Sequence, residues 1–476
     1  MPVIRAFFII RLGFRSKFSL GHNVRAGRAI SLYLVSFKTS VVGLGYLGAT
    51  QAIILAKQGH SVIGVDTDSA KVQSLAAGKL PFFEPGLSEL LKEMLETGRL
   101  SFTSSYGPEL GEVDIHFLCV GTPSVANSEE VDLSAVLESA ALIASFARAD
   151  SVLVGRSTVP AGTADRLRKT ASEVAGFDLM LAWNPEFLSE GTAVRDSLEP
   201  DRIVIGVDDN DSELILRKLY KPLTDAGVPL IVMDTRSAEL VKVAANSFLA
   251  MKISFINGVA SVAEKVGASS QNISLALGLD KRIGAGFLRN GAGFGGGCLP
   301  KDIAGFHAQA VSVGSKDFAE LLAAAIDVNK ARRVRIVELS KEILGDLKGK
   351  KIAVLGAAFK PNTDDTRDSP GLTIAAALSK QGSTVLIHDP VVDSLPQTAD
   401  FKELHLTKDL DVAVSEADLV IVVTDWPEYR DLDPAHLAGK VNTQNLIDGR
   451  SILQSSKWAK DGWNIMTLGE GNLKVA

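Results

Sequence analysis

The strongest constraint lies in residues 39–66, TSVVGLGYLGATQAIILAKQGHSVIGVD. The apolar run 40–42 predicts a buried strand. Gly43, Gly45 and Gly48 follow in a G-x-G-x-x-G spacing, then a helix-forming stretch over 49–58, a second strand over 61–65, and Asp66. A lone G-x-G-x-x-G is weak. In this order, with an acid about twenty residues on, it specifies a βαβ dinucleotide site. Gly43 permits the tight turn, Gly45 clears space for pyrophosphate, and Gly48 lets helix and strand pack. The helix N-terminus offers N–H groups to the phosphates. Asp66 suits both ribose hydroxyls and repels a 2′-phosphate, so NAD is expected rather than NADP. A glycine-rich turn without a ligand is the plain alternative.

The α/β pattern continues. DIHFLCVGTP, SVLVGRSTVP and LMLAWNPEFLSEG each read as a strand with a polar end, at Gly121-Thr122-Pro123, Ser157-Thr158 and Asn184-Pro185-Glu186. In open α/β sheets ligands collect at such carboxyl ends. Cys119 lies inside its strand on this reading, as a core residue. From about residue 237 the period changes to a long, Ala-rich, proline-free helix whose apolar residues run nearly all round, as in a core or a subunit interface. Lys242 and Asn246 share one face of it. A buried lysine needs a reason, the alternative being one that snorkels. Near residue 347 the plan of the first region returns, KGKKIAVLGAAFKPNTDDTRDSPGLTIAAALSKQGSTVLIHDP, but with the single Gly356 in its loop. It lacks the fingerprint and is not expected to bind a second dinucleotide in the same way. The fold class is therefore α/β: two Rossmann-like domains, 38–235 and 347–476, joined by a long central helix region, 236–346, to which the family resemblance given below assigns dimerisation.

The stretch GFGGGCLPKD, residues 293–302, holds one of only two cysteines. Glycines allow close approach to the backbone and proline suits the first turn of a helix, which puts Cys298 at a loop-to-helix junction facing a cavity. The helix dipole and Lys301 are expected to favour its thiolate; the alternative is a buried structural cysteine. Two cysteines are too few for a disulfide scaffold and fit a reducing, cytoplasmic setting. The net charge of −6 gives no reason to expect nucleic-acid binding, and no apolar run long enough to span a membrane stands out.

Residues 1–37 differ from the rest. They carry Arg5, Arg11, Arg15, Lys17, Arg25 and Arg28, and the first acid of the chain is Asp66. A transit peptide and a basic membrane-surface helix fit such a composition. The preferred reading is a basic extension outside the working fold, which starts cleanly after it.

GLGYLG, PFFEPGL, FLCVGTP, STVP, NPEFLSEGTAVRD, AELVKVAANSFLAMKISFIN, DKRIG, GFGGGCLPKD, FKPNTDDTRDSP and DGR, in this order, resemble the nucleotide-sugar 6-dehydrogenases of the UDP-glucose/GDP-mannose dehydrogenase family. The resemblance covers about residues 38–450. It implies oxidation of a sugar CH₂OH to a carboxylate with two NAD consumed, no metal, and a homodimer or larger homo-oligomer. It implies a covalent role for Cys298, oxyanion contacts from Lys242 and Asn246, and a water activated by Asp302 or Glu186. Thr122 and Glu186 flank a second water in the first step. Besides the three glycines and Asp66, the implied cofactor contacts are Tyr46, Leu47, Lys71, Thr122, Thr158, Glu190, Lys301 and Arg367. The implied sugar-nucleotide contacts are Glu186, Phe187, Leu188, Lys242, Asn246, Phe287, Gly295, Phe359, Lys360 and Arg450, with Arg282 reaching in from a neighbouring subunit. Gly258, Arg156 and Ser189 depart from the family pattern without removing a catalytic group. FKPNTDD and the Gly297–Cys298–Leu299 surroundings favour UDP-glucose as substrate, with GDP-mannose as the competitor. A two-electron hydroxyacid dehydrogenase and a non-catalytic NAD-binding protein are the rival classes.

Overall fold

The computed structural model describes residues 36–470. Two parallel sheets carry the fold. The first runs β3-β2-β1-β4-β5-β6-β7-β8, from β1 (Lys38–Val42), β2 (Ser61–Val65), β3 (Leu100–Thr103), β4 (Ile115–Leu118), β5 (Val152–Gly155), β6 (Met180–Trp183), β7 (Ile203–Val207) and β8 (Leu230–Met233). Only β6 and β7 pair antiparallel. The second sheet runs β11-β10-β9-β12-β13-β14, from β9 (Lys351–Leu355), β10 (Thr384–His388), β11 (His405–Thr407), β12 (Leu419–Val422), β13 (Asn445–Asp448) and β14 (Asn464–Thr467). Its order repeats the first six positions of the first sheet. Both sheets reverse direction of growth beside their first strand, at β1/β4 and β9/β12, and ligands bind at such switch points. The central strands are buried on both faces, as in β4 and β12, which is why they read as continuous apolar runs.

The helix after β1 spans Tyr46–Lys57, three residues earlier than the periodicity predicts, because Gly45 is its N-cap. Cys119 lies one residue beyond β4 rather than inside it, and it is buried in the core of the first domain. The expectation for residues 1–37 falls outside the described residues except at its end. There the Phe37 N–H donates to His60 Nδ1 at 3.3 Å and the two rings stand 5.9 Å apart. The fold thus takes in Ser36 and Phe37.

Between the two sheets in the chain come four helices, Thr235–Val266, Ser270–Leu279, Leu299–Ser312 and Lys316–Leu344. The longest, Thr235–Val266, starts at Asp234, whose carboxylate accepts from Ser237 N–H, and stops at Gly267 in the left-handed region. It is long and apolar enough to cross a bilayer by length and composition. Here it packs on Leu299–Ser312 and Lys316–Leu344 through a small core of Ala250, Phe294, Ile303, Leu322 and Ala325. Its opposite face leaves Phe248, Phe255 and Val262 exposed.

The second sheet reuses the local plan of the first with one change. A Cβ on Gly48 would stand 1.8 Å from the Gly43 carbonyl, and one on Gly371 would stand 2.0 Å from the Gly356 carbonyl, so both positions need glycine for strand and helix to touch. Gly48 follows Gly43 by five residues, whereas Gly371 follows Gly356 by fifteen. The added residues form a loop that reaches toward the first domain. Asp389, at the end of β10, corresponds to Asp66 but is fully buried, accepting from Ala357, Ala358, Val391 and Val392 N–H. No ribose can reach it.

Candidate active site

One cleft of about 1820 Å³ joins the carboxyl end of the first sheet, the central helices and the long loop of the second domain. At its dinucleotide end, Gly43 has φ +89° and a Cβ on it would meet Val120 backbone at 2.7 Å, while a Cβ on Gly45 would point into open space. That open cradle above the N-terminus of Tyr46–Lys57 fits a pyrophosphate. Asp66 accepts from Leu44 N–H at 2.7 Å and from Lys71 Nζ at 2.8 Å. Burial works to raise its pKa, but Lys71 and the Asp68 and Leu44 N–H groups outweigh burial and hold the carboxylate low. Leu47, Thr122 and Thr158 line the same end, with the Thr122 hydroxyl donating to the Thr158 carbonyl at 2.9 Å. Gly48 lies beneath, as a packing position.

The glycine run of 293–297 is explained by what crosses it. A Cβ on Gly293 would meet Asn329 Oδ1 at 2.5 Å, on Gly295 the Asp368 carbonyl at 2.3 Å, on Gly296 the Phe359 ring at 2.7 Å, and on Gly297 the Arg367 guanidinium at 2.2 Å. The run is the seam between the central helices and the second domain. It ends at Cys298, the N-cap of Leu299–Ser312, whose side chain is exposed on the cleft.

The thiolate expectation is not met. Burial pushes the Cys298 thiol up to about 11, and Glu186 adds to it; Lys242 opposes, and Asp302 and Glu190 raise it further. Three carboxylates outweigh one lysine. The opposing cation is Lys242 rather than Lys301, which is spent on Asp302 Oδ1 at 2.7 Å.

Lys242 does not snorkel. It is buried, its Nζ 2.8 Å from Glu186 Oε1. Burial works against its charge, but Glu186, then Asp302 and Cys298, raise its pKa overall, so it stays an ammonium and a donor. Leu188 N–H donates to the other Glu186 oxygen at 2.8 Å. One turn along the helix, Asn246 Nδ2 donates to Asp302 Oδ2 at 2.6 Å. Asp302 is 2% exposed and sits behind Cys298 rather than on the cleft wall, whereas Glu186 lines the cleft directly. Phe187 carries the Arg202 guanidinium 3.8 Å above its ring.

From the second domain come Phe359, Lys360, Arg367 and Arg450. Lys360 donates to Ser189 Oγ at 2.7 Å and burial lowers its pKa. Arg367 binds Asp365 and, at 3.0 Å, Glu190. Burial and the Asp365 charge push Glu190 up to about 7 against the pull of Arg367 and Lys360. Arg450 donates only to the carbonyls of Val423, Gly293 and Phe359. Phe287, at φ +63°, also lines the cleft. Arg282 does not: its exposed guanidinium pairs with Asp280 at 2.6 Å, away from the cleft of its own chain. Among the described residues no group of three or more His, Cys, Asp or Glu could hold a metal ion.

Sequence reasoning passed over Glu84, Arg202 and Glu239. Glu84 lies within the PFFEPGL motif without an assigned role. Glu239, 1% exposed, accepts from Gly162 and Ala164 N–H at 2.6 Å each and so ties the Thr158 loop to the helix of Lys242. Arg202 carries no sequence signal.

A dinucleotide fold opening on a cleft with a cysteine, a lysine–glutamate pair and a second Rossmann-like domain defines an NAD-dependent oxidoreductase of the kind that acts on a nucleotide-linked substrate. The chain belongs to the UDP-glucose/GDP-mannose dehydrogenase family: the family's NAD binding domain matches residues 37–224, its central domain 236–331 and its UDP binding domain 353–455. It is 38% identical over 440 residues to a UDP-glucose 6-dehydrogenase of Rhizobium meliloti, covering 91% of this chain and 99% of that one. It is 41% identical over 432 residues to one of Rickettsia bellii, covering 90% and 98%. A UDP-glucose dehydrogenase structure from Pyrobaculum islandicum superposes with a TM-score of 0.85 at 36% identity, covering 95% of this chain and all of that one. A UDP-D-ManNAc dehydrogenase structure from Pyrococcus horikoshii superposes at 0.81 with 26% identity, covering 92% and 100%.

Proposed function

We propose that the protein oxidises UDP-glucose to UDP-glucuronate through a covalent intermediate on Cys298. The observation that carries the reading is that Cys298, the Lys242–Glu186 pair, Gly43 and Gly45 line one cleft. Gly43, Gly45 and Asp66 would hold NAD, which would supply the hydride acceptor for the two oxidations at the sugar C6. Lys242, kept charged, and Asn246 donate hydrogen bonds to the oxygen at C6 as negative charge develops there. The alcohol proton leaves toward Glu186 through a water that the Thr122 hydroxyl accepts from. Once Glu186 has passed the first proton to solvent, Cys298 Sγ adds to the aldehyde carbon and gives its proton to that carboxylate, the one that bears most on the thiol, forming a thiohemiacetal. Loss of the second hydride leaves a thioester. Water activated by Glu186 or Asp302 cleaves the C–S bond, returning the thiol and releasing the carboxylate. The balance is one alcohol, two NAD and one water to one carboxylate, two NADH and three protons. Lys360 and Arg450 supply positive charge at the far end of the cleft for the diphosphate.

The family likeness and the exposed Phe248, Phe255 and Val262, seven residues apart on one helix face, support a homodimer through the central helix. Arg282, held by Asp280 away from its own cleft, is then the residue to reach the neighbouring one.

UDP-glucose, GDP-mannose and UDP-N-acetylglucosamine assayed side by side with NAD test the reading. The expected result is the highest kcat/KM with UDP-glucose and two NADH per sugar, as two hydride transfers demand. A higher kcat/KM with GDP-mannose overturns the substrate. Near-normal acid formation by Cys298→Ser overturns the covalent step.

A further inference from the structure

The PFFEPGL stretch takes no part in the chemistry above, yet it supplies Glu84, a carboxylate that is 4% exposed and sits behind the cleft-lining Tyr46. Glu84 accepts three hydrogen bonds: from the Tyr46 hydroxyl, from Gly191 N–H at 2.5 Å and from Ala193 N–H at 2.7 Å. Tyr46 opens the helix on which the dinucleotide phosphates dock, and its ring lies 4.7 Å from Phe82, which leaves its backbone rather than its hydroxyl for the cofactor. Burial and then the Glu84 charge push the Tyr46 phenol upward, so it stays a donor.

Gly191 ends the loop that begins at Glu186. On its other side that loop meets the second domain at three successive residues. Ser189 accepts from Lys360 at 2.7 Å. Glu190 accepts from Arg367 at 3.0 Å and Thr363 at 3.3 Å. Gly191, at φ +81°, passes so close to Asn362 that a Cβ would stand 2.8 Å from its carbonyl oxygen. One buried carboxylate therefore joins the glycine loop to the loop that carries Glu186 and bears on the UDP binding domain.

We propose that Glu84 is a positioning residue that couples the two ligand sites, so that occupancy of the nucleotide-sugar end strengthens dinucleotide binding. The coupling rests on the nucleotide-sugar reading for its second ligand. A loop held from both sides presents each ligand with the same arrangement, and ordering by the first lowers what the second must order. In Glu84→Gln one acceptor becomes a donor facing an N–H, and one of the two backbone bonds is lost.

The test is the Kd of NADH, read by fluorescence, without and with saturating UDP. UDP should tighten NADH by about tenfold in the wild type and by less than about twofold in Glu84→Gln, within the usual range of such couplings. NADH affinity without UDP should move by less than about threefold in the variant, since the phosphate-binding N–H groups are untouched. Tyr46→Phe, which leaves both backbone bonds in place, should also lower the coupling and carries the test by itself if Glu84→Gln loses its thermal transition. Wild-type coupling in the folded variants overturns the proposal, and so does a wild type in which UDP leaves NADH affinity unchanged. Failure of the catalytic reading is seen separately, as absent NADH production with every nucleotide sugar while the coupling persists.

Discussion

Titration of Cys298 gives the sharpest test of the site's electrostatics. With its pKa pushed up to about 11 by burial and by Glu186, the free enzyme holds a neutral thiol. At pH 8 about one part in a thousand is thiolate, against about a quarter for an ordinary thiol of pKa near 8.5. Basicity partly compensates: with a Brønsted slope of about 0.4–0.5, each thiolate is about tenfold more nucleophilic. The net expectation is reaction with a disulfide reagent about twentyfold slower than a free thiol at pH 8. The sign follows from the charge: deprotonation creates the disfavoured anion, so the rate climbs about tenfold per pH unit from pH 7 to 10 without levelling. Stopped-flow reaction with dithionitrobenzoate measures this, with Cys298→Ser as the blank; Cys119, buried and pushed up to about 12, does not compete. Glu186→Gln, which removes the leading carboxylate, should speed the reaction at pH 8. A rate that levels off below about pH 9 in the wild type would refute the assignment of burial and carboxylates as the dominant influences.

Asp66→Asn removes the carboxylate that the proposed function sets against the ribose, and frees Lys71. NADP use should rise relative to NAD by about tenfold or more, since like charges in such a site cost more than about 1.4 kcal/mol; an unchanged kcat/KM ratio argues against the role. Gly295→Ala puts a methyl 2.3 Å from the Asp368 carbonyl and 2.9 Å from Pro370 Cδ, neither of which can swing away. The seam should lose about 1–3 kcal/mol, read as a lower Tm, and kcat/KM should fall with it; an unaltered melt would show the seam to be loose. Phe255→Asp charges the exposed apolar face of the central helix and should yield monomers by light scattering; an unchanged mass would remove that face from the interface.

Much of this was legible in the sequence because backbone geometry leaves residue-type signatures. Strand β2 was read at its observed bounds, since Ser61–Val65 is apolar and closed by Gly59 on one side and Asp66 on the other. The start of the Tyr46–Lys57 helix was misplaced because helical conformation begins inside the glycine motif, where propensity argues against it. The charge state of Cys298 was misread for a different reason. Sequence displays the neighbours on its own helix, Lys301 and the N-terminal dipole. The groups that decide the matter, Glu186 and Lys242, arrive from 112 and 56 residues away. Glu84 was invisible in the same sense: its three partners lie on two other segments, and nothing within PFFEPGL announces them.

The two Rossmann-like halves show how one plan is turned to two uses. In the first, the packing glycine follows the turn glycine by five residues, the loop stays short, and the acid at the end of the second strand faces the cleft. In the second, the acid Asp389 is fully buried and satisfied by backbone N–H groups, so the pocket that would take a ribose is filled from inside. The longer loop carries Phe359, Lys360, Asp365 and Arg367 across to the first domain, where Lys360 meets Ser189 and Arg367 meets Glu190. The same loop presses Phe359 and Arg367 on Gly296 and Gly297, beside Cys298. The glycines before the cysteine and the insertion in the second half are therefore two sides of one contact. A side chain on either glycine would push the second domain off the thiol, which is why the run GFGGGC and the run FKPNTDDTRDSP belong to a single site although Cys298, which ends the first, and Phe359, which opens the second, stand 61 residues apart in the chain.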